Sequence, residues 1–521
     1  MIREQIERAI KEHLGDTPFV VERPREMAHG DYATNAALVA KVDASELAGK
    51  LKIDGVEKVE VVGKFINFFL SREAILEEVE SAAKEKEWGS NDLYKGQKIM
   101  VEYTDPNPFK EFHIGHLMSN AVGEAIVRVL EVSGAEVKRA NYQGDVGPHV
   151  AKAIWGKMHP PAGGPEMSWG EAYVYGNAEY EVHKVEIDEI NKKVYEKSDE
   201  QINKLYTEGR EESLKHFEEI YKTLGTTFDY YFFESETAPI GLELIRKHSD
   251  IFEESDGAMV FRGEEYGLHT RVFVNSLGLP TYEAKELGLV EAKKQKGNFD
   301  LSLTVTANET KDYFKVVRKA AEMVFPDLEN KMIVRFHGML RLTSGKMSSR
   351  AGNVITGESL INDLTEAARN REDVAVGAIK YVVLKQGSGK DIIFDQEKSL
   401  SLEGDSGPYL QYAHTRALSL TREAEKAGIK PSDADAPKEA SQLERLLLHY
   451  PDVVARAASE LEPHYVTTYL TELAAAFNSW YASGRVIGGS NPQFGVLLTS
   501  AVEQTLAKGL HVLGIPAPDK M

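Results

Sequence analysis

Lys98-Ile99-Met100-Val101-Glu102-Tyr103-Thr104-Asp105-Pro106-Asn107-Pro108-Phe109-Lys110-Glu111-Phe112-His113-Ile114-Gly115-His116 carries the architectural signal of this chain. Ile99, Met100 and Val101 form the short apolar run of a buried strand, Pro106, Asn107 and Pro108 break it into a loop, and Leu117, Ala121, Ala125 and Val129 then recur at helical spacing. Glu136-Val137-Lys138-Arg139-Ala140-Asn141-Tyr142 reads as a second strand. Strand, helix and strand in close succession make a βαβ unit, whose right-handed crossover leaves the two strands parallel. The predicted fold class is α/β, a Rossmann-like parallel-sheet domain.

Working outward, Ile2, Ile6, Ala9, Ile10 and Leu14 form the stripe of an amphipathic helix. Strand-like runs follow at Val59, Val61 and Val62 and at Lys64 to Leu70, then a helix through Ala74 and Leu76, so residues 1–88 read as a small α+β domain. The polar stretch Trp88-Gly89-Ser90-Asn91-Asp92 is a linker. The Rossmann-like domain spans 96–400. It holds a charged helical insertion at about 157–235, where no proline occurs from Glu171 to Ala238. The α/β pattern resumes at Met259-Val260-Phe261 and Arg271-Val272-Phe273-Val274 and continues through Leu301 to Thr306 and Met332 to Phe336. Residues 401–521 read as an all-α domain.

With 521 residues the chain is too long for one core. Hydrophobic residues at 42% and charged residues at 28% are the proportions of an ordinary globular protein, and no apolar run approaches the ~20 residues of a spanning helix. The N-terminal residues mix both charge signs and lack a signal peptide's apolar core, which predicts a cytoplasmic protein. The absence of cysteine excludes disulfides, thiolate metal sites and cysteine nucleophiles. A net charge of -20 argues against nonspecific nucleic-acid binding, so any RNA contact must use local faces.

Two histidines flank a glycine in His113-Ile114-Gly115-His116, where the helix begins. Imidazole N–H groups, unpaired first-turn amides and the helix dipole can converge there on an anion. That suits a triphosphate and the charge that builds as an α-phosphate is attacked. The same tetrad would also serve as a helix cap with no ligand. Far along the chain, Gly345-Lys346-Met347-Ser348-Ser349-Arg350-Ala351-Gly352-Asn353 puts a lysine on a Gly- and Ser-rich loop, suited to a leaving pyrophosphate. Read alone, it is a solvated loop.

Together these segments resemble the His-Ile-Gly-His and Lys-Met-Ser-Lys motifs of class I aminoacyl-tRNA synthetases, and the wider match is to arginyl-tRNA synthetases. The resemblance takes in Val101 to His116, Tyr142-Gln143-Gly144-Asp145-Val146-Gly147 and Phe336-His337-Gly338-Met339. It extends to Ala28-His29-Gly30-Asp31-Tyr32-Ala33-Thr34-Asn35, to Gly407 through Arg416 and to Phe477-Asn478-Ser479-Trp480-Tyr481. It implies a class I catalytic domain at 96–400, an N-terminal tRNA-contacting domain at 1–88 and a helical anticodon-binding domain at 401–521.

The resemblance also implies the chemistry. Arginine is activated by ATP to arginyl-adenylate and transferred to the 3′ end of tRNA(Arg), generally with tRNA needed for the first step. Catalytic roles fall on His113, His116, Lys346 and, just upstream of the tetrad, Lys110. ATP would meet His113, Gly115, His116, His337, Gly338, Met339, Lys346, Ser348 and Ser349. Arginine would meet Glu102, Asn107, Tyr282, Glu286 and Glu309, and tRNA would meet Asp31, Asn35, Tyr409, Gln411, Tyr412, His414, Arg416, Trp480 and Tyr481. Mg²⁺ accompanies ATP as substrate, with no structural metal, and the implied protein is a monomer with no membrane partner. The family more usually has Asp at the place of Glu286 and Gln at that of Glu309, and a second lysine followed by serine where this chain has Ser349-Arg350. Tyr409 and Tyr412 at i, i+3 would equally suit a core-facing helix. The rival readings are a synthetase for another amino acid, lysine above all, a small-molecule nucleotidylyltransferase and a non-catalytic tRNA-binding or regulatory paralogue.

Overall fold

Ile99, Met100 and Val101 are buried in strand β1 (Lys98–Glu102) of the computed structural model, which describes residues 2–161, 166–342 and 356–521. Helix α1 (Ile114–Val132) follows, then β2 (Glu136–Gln143), β3 (Tyr230–Phe233), helix α2 (Glu234–Lys247), helix α3 (Tyr282–Lys296), β4 (Leu301–Ala307) and β5 (Met332–His337). The five strands form one sheet in the order β5-β4-β1-β2-β3, every neighbouring pair parallel. Such strands are covered on both faces, which explains why β1 is a continuous apolar run rather than an alternating one. The chain winds outward from β1 to β3 and then crosses to β4 on the other side of β1. Open α/β sheets hold their ligands outside the carboxyl ends of the strands at such a reversal.

The charged segment after β2 consists of helices Pro148–Met158, Trp169–Ala178, Tyr180–Glu196 and Glu200–Leu224. Val150, Ile154, Trp155, Trp169 and Ile187 bury one face of this group and take in Phe109 from the loop after β1. The buried Asp145 carboxylate joins it to the sheet, accepting from Tyr206 Oη at 2.9 Å, Arg210 Nε at 3.0 Å and Ser235 N at 2.9 Å.

The runs expected to continue the α/β pattern at Met259 to Phe261 and Arg271 to Val274 form strands, but in a separate antiparallel sheet with Glu253–Ser255. The local cause is the Asp256-Gly257 turn, where both residues have positive φ, 51° and 78°. Two consecutive positive φ values make the tight hairpin turn that joins antiparallel neighbours.

Helices α2 and α3 approach very closely. A Cβ at Gly241 would lie 1.9 Å from the Ala284 carbonyl oxygen, and one at Gly288 would lie 2.0 Å from that of Thr237. These two glycines set the position of α3 and hence of Tyr282 and Glu286.

The second compact unit combines residues from both ends of the chain, Met1–Leu93 and Ser401–Met521. Helix Ile2–Leu14 packs Ile6 and Ile10 on a four-stranded antiparallel sheet, and Leu448 of the helical segment enters the same core. Polar contacts reinforce the union: Arg72 Nη1 lies 2.5 Å from Glu444 Oε1, Tyr32 Oη donates to Asp452 at 3.0 Å and Trp88 Nε1 to Thr505 at 3.2 Å. Among the described residues no helix is long and apolar enough to cross a membrane.

Gly288→Val is expected to force α2 and α3 apart. The cost should be about 3 kcal/mol of overpacking, read as a lower urea midpoint at an unchanged m-value. Gly278→Ala, where a Cβ would meet nothing within 4 Å but φ is 75°, should cost only about 1 kcal/mol.

Candidate active site

Between β1 and α1 the backbone takes positive φ at three non-glycine residues, Thr104 (82°), Asp105 (48°) and Phe109 (69°). Each such conformation costs on the order of 1–3 kcal/mol and persists only where neighbours over-determine it. Here they do. Thr104 N donates to Ser119 Oγ at 3.0 Å, and Thr104 Oγ1 accepts from Asn120 at 3.0 Å. Asp105 Oδ1 accepts from Tyr142 N at 2.8 Å, Asn107 Oδ1 from Gly144 N at 3.1 Å, and Phe109 N donates to Ser213 Oγ at 2.9 Å. The loop is thereby tied to α1, β2 and the inserted helices, which fixes where the tetrad begins.

His113 caps α1. Its Nδ1 accepts from His116 N at 3.4 Å, and His116 Nδ1 accepts in return from His113 N at 3.2 Å. The rings stack with centroids 3.4 Å apart. A Cβ at Gly115 would lie 2.9 Å from His113 Cε1, so glycine is what lets this ring fold back over the helix start. Since both Nδ1 atoms accept, both protons reside on Nε2. Burial, then His113 and Lys110, hold His116 well below the usual imidazole range, and His113 is lowered by desolvation and by Lys110. The pair is therefore two neutral Nε2–H donors at a helix N-terminus. The Lys110 ammonium sits 5.0 Å from the Tyr173 ring centroid, and burial, then Lys152, lowers its pKa.

The second half of the site is acidic. Glu102, at the carboxyl end of β1, is buried and paired with Lys293 of α3 at 2.5 Å. Burial raises the Asp105 and Glu286 carboxyls well above the ordinary range, and the Glu102 charge raises both further. Glu286, on α3, is half-buried as a residue. Beside this group lies a second buried pair, Glu234 and Lys285 at 2.6 Å, and the Tyr142 hydroxyl, 2.8 Å from Thr237 Oγ1. Once Asp105 and Glu286 are ionised, these three carboxyls, of which Glu102 pairs with Lys293, make a site short of positive charge.

The structure relocates several predicted residues. Glu309 is exposed on the turn after β4 and acts electrostatically on His337, whereas Glu102, Asp105 and Glu286 act on one another. Tyr282 is 63% exposed, with its ring 5.1 Å from Lys285 Nζ. His337 is buried, its Nδ1 2.8 Å from the Gly338 carbonyl, and burial lowers its pKa. Met339 N donates to Asp391 at 2.9 Å, while its side chain is exposed. Lys346, Ser348 and Ser349 lie outside the described residues. Among the described residues no three His, Asp or Glu side chains sit where they could hold a metal ion.

Three residues expected to meet tRNA are turned inward instead. Asp31 is buried, accepting from Leu70 N at 2.9 Å and from Arg445, because its carboxylate closes the junction of the terminal segments. Gln411 and His414 lie on the buried side of helix Gly407–Lys426. Gln411 donates to Pro516 O at 2.8 Å, and His414 lies 3.4 Å from Glu503. Tyr409, Tyr412 and Arg416 occupy its partly open side, where Arg416 lies 4.6 Å from the Tyr412 ring and 5.3 Å from that of Tyr481. Tyr409 accepts from Asn478 at 3.1 Å, Trp480 packs partly buried against the small core of Ala424, Val486 and Val496, and Asn35 accepts from Val20 N at 3.0 Å.

Sequence reading did not single out Lys293 or Asp105. The available signal was that Lys293 is two helical turns beyond Glu286; that Glu283, Lys285 and Lys293 are buried on that helix is seen only in the structure. His116 is expected to remain an Nε2–H tautomer with no titration between about pH 6 and 8, since its lowered pKa defers protonation to more acid solution. Nitrogen-detected NMR of histidine-labelled protein reads this directly, and titration near the ordinary value of 6.5 would contradict the cap geometry.

Comparison with known proteins bears on this arrangement. Residues 78–396 match the family model described as the catalytic domain of class I tRNA synthetases (R), residues 1–70 that of the arginyl tRNA synthetase N-terminal domain, and residues 410–521 the DALR anticodon binding domain. The chain is 32% identical to the arginine–tRNA ligase of Limosilactobacillus reuteri, covering 96% of this chain and 95% of that one. It is 29% identical to the arginine–tRNA ligase of Clostridium perfringens, covering 100% and 99%. The solved arginyl-tRNA synthetase of Thermus thermophilus superimposes with a TM-score of 0.82 at 26% identity, over the full length of both chains. With its strands wound as a class I sheet and its helix-capping histidines at the reversal point, the chain belongs to the arginyl-tRNA synthetase family of class I.

Proposed function

We propose that this protein is an arginine–tRNA ligase, which activates L-arginine with Mg²⁺-ATP and charges tRNA(Arg), acting as a cytoplasmic monomer. The observation that carries the reading is the meeting, at the carboxyl ends of β1 and β4, of a neutral two-donor histidine cap and a pocket of buried carboxylates. A guanidinium supplies the missing positive charge in a planar form that carboxylates can grip with two hydrogen bonds.

In the first step an arginine carboxylate oxygen attacks the α-phosphorus of ATP. The bond to the bridging oxygen of the β-phosphate breaks, giving arginyl-adenylate and pyrophosphate. His113 and His116 donate Nε2–H bonds to phosphate oxygens as charge builds, and, being neutral, they need not lose or gain a proton. Lys110 adds a cation from the β1–α1 loop, and Lys346, with Ser348 and Ser349, neutralises the pyrophosphate. His337, Gly338 and Met339 meet adenine. Helix Gly357–Ala367 begins beside the tetrad, with Gly357 N donating to Phe112 O at 2.7 Å and Thr356 bridging His113. In the second step a hydroxyl of the terminal adenosine attacks the arginyl carbonyl and AMP leaves. Glu102 and Asn107 hold the amino-acid end of arginine and Glu286 its guanidinium. The half-open Tyr409, Tyr412, Arg416 and Tyr481 offer rings and a cation to splayed anticodon bases.

The test is amino-acid-dependent pyrophosphate exchange in the presence of tRNA. Arginine should be preferred, and a preference for lysine would end the arginine reading. His116→Ala should lose on the order of 10²–10³ in kcat, as removal of an oxyanion donor does. Unchanged activity in that variant would overturn the site. Glu286→Gln should raise the KM for arginine by roughly two orders of magnitude, the cost of breaking a desolvated charge pair, with the KM for ATP little altered.

A further inference from the structure

One buried cation in the carboxylate pocket is assigned no part in the chemistry above. Lys293 is 4% exposed, reaches from α3 to the end of β1, and places its ammonium 2.5 Å from the Glu102 carboxylate and 3.5 Å from Ser302 Oγ. It acts electrostatically on Asp105 and on Glu286 as well. The other charges bearing on this group are accounted for: Glu234 is paired with Lys285 at 2.6 Å and Glu283 with Arg271 at 3.2 Å. The phenols of Tyr142 and Tyr313 complete the surroundings. Lys293 is thus the ammonium of α3 that pairs with Glu102 and lowers the pKa of Asp105 and Glu286.

We propose that Lys293 is a positioning residue of the amino-acid site, which orients Glu102 and sets the charge of the pocket so that it receives a dicationic amino acid near neutral pH. The inference rests on the reading of this pocket as the arginine site. Once Asp105 and Glu286 have lost their protons, three carboxylates against one ammonium leave two negative charges. Arginine brings two positive centres, its α-ammonium and its guanidinium, while its carboxylate is directed to ATP. Without Lys293 the pocket would carry a third uncompensated charge in a desolvated space, and a proton would take the place of the missing cation. The sign follows from the groups present. Burial and Glu102 raise the Asp105 and Glu286 pKa values, and Lys293 lowers them. Loss of Lys293 raises them further, so the carboxylate form that binds arginine is reached only at higher pH.

The experiment compares wild type, Lys293→Met and Lys293→Arg in tRNA-dependent pyrophosphate exchange across the acid limb of kcat/KM for arginine. Lys293→Met is expected to move that limb to higher pH by about one unit and to raise the KM for arginine by roughly tenfold at the wild-type optimum, one unit of proton competition being tenfold in affinity. The KM for ATP should stay within about twofold, and Lys293→Arg, which keeps the charge, should restore the limb. An unshifted limb in a Lys293→Met protein that melts like wild type would overturn the proposal, as would an arginine variant as shifted as the methionine one. Should Lys293→Met fail to fold, Glu102→Gln supplies the converse. It leaves Lys293 facing Asp105 and Glu286 alone, so the limb should move to lower pH, and a limb that stays or rises would overturn the proposal. A wild type that exchanges with no dependence on arginine would sink the synthetase reading and this inference together. An active wild type with an unshifted variant sinks this inference alone.

Discussion

The chain must leave a strand buried on both faces at Glu102 and enter a buried helix at His113, and the other parts of the site are arranged around that passage. Neither end can move, because β1 is hydrogen-bonded between two parallel neighbours and α1 is buried along most of its length. The loop absorbs the mismatch in three positive-φ residues. Side chains on α1, β2 and the inserted helices compensate the strain by taking up its backbone groups. The strained loop is therefore also the element that carries Asp105, Asn107 and Lys110 to the end of the sheet.

Charge placement follows from the same geometry. Residues at the carboxyl end of a central parallel strand are desolvated by helices on both faces, so a carboxylate at Glu102 requires a cation. Helix α3 supplies it in Lys293, and α3 can approach so closely because Gly241 and Gly288 let it lie against the backbone of α2. The pocket's acidity, the tight helix pair and the ion pair are linked. Widening the α2–α3 spacing would strand Glu102 as well as open a void.

The terminal segments show the same logic at a second place. Asp31 lies in a motif that invites a reading as an RNA contact, but its oxygens bind the Leu70 amide and Arg445. The small N-terminal sheet buries only one face by itself, and it completes its core with Leu448 from the helical segment. Two stretches that read as separate domains in sequence are thus one unit in space, because each leaves apolar surface that the other covers.

Periodicity and turn chemistry are local, so the βαβ opening, the helix start at His113 and the helical character of the insertion and of the C-terminal segment could be read from residues alone. The capping character of His113-Ile114-Gly115-His116 was legible for the same reason: capping depends on residues three apart. What remained hidden depends on residues distant in sequence. That Met259 to Phe261 pair antiparallel outside the main sheet, that Glu309 is left exposed, and that Gln411 faces inward while Tyr412 does not are decided by what packs against each side chain. The pairing of Glu102 with Lys293 is the clearest case. The sequence alone determined that a carboxylate ends the first strand beside a histidine-capped helix. Only the tertiary structure decided which cation meets it, because desolvation and charge compensation are properties of a place in the fold.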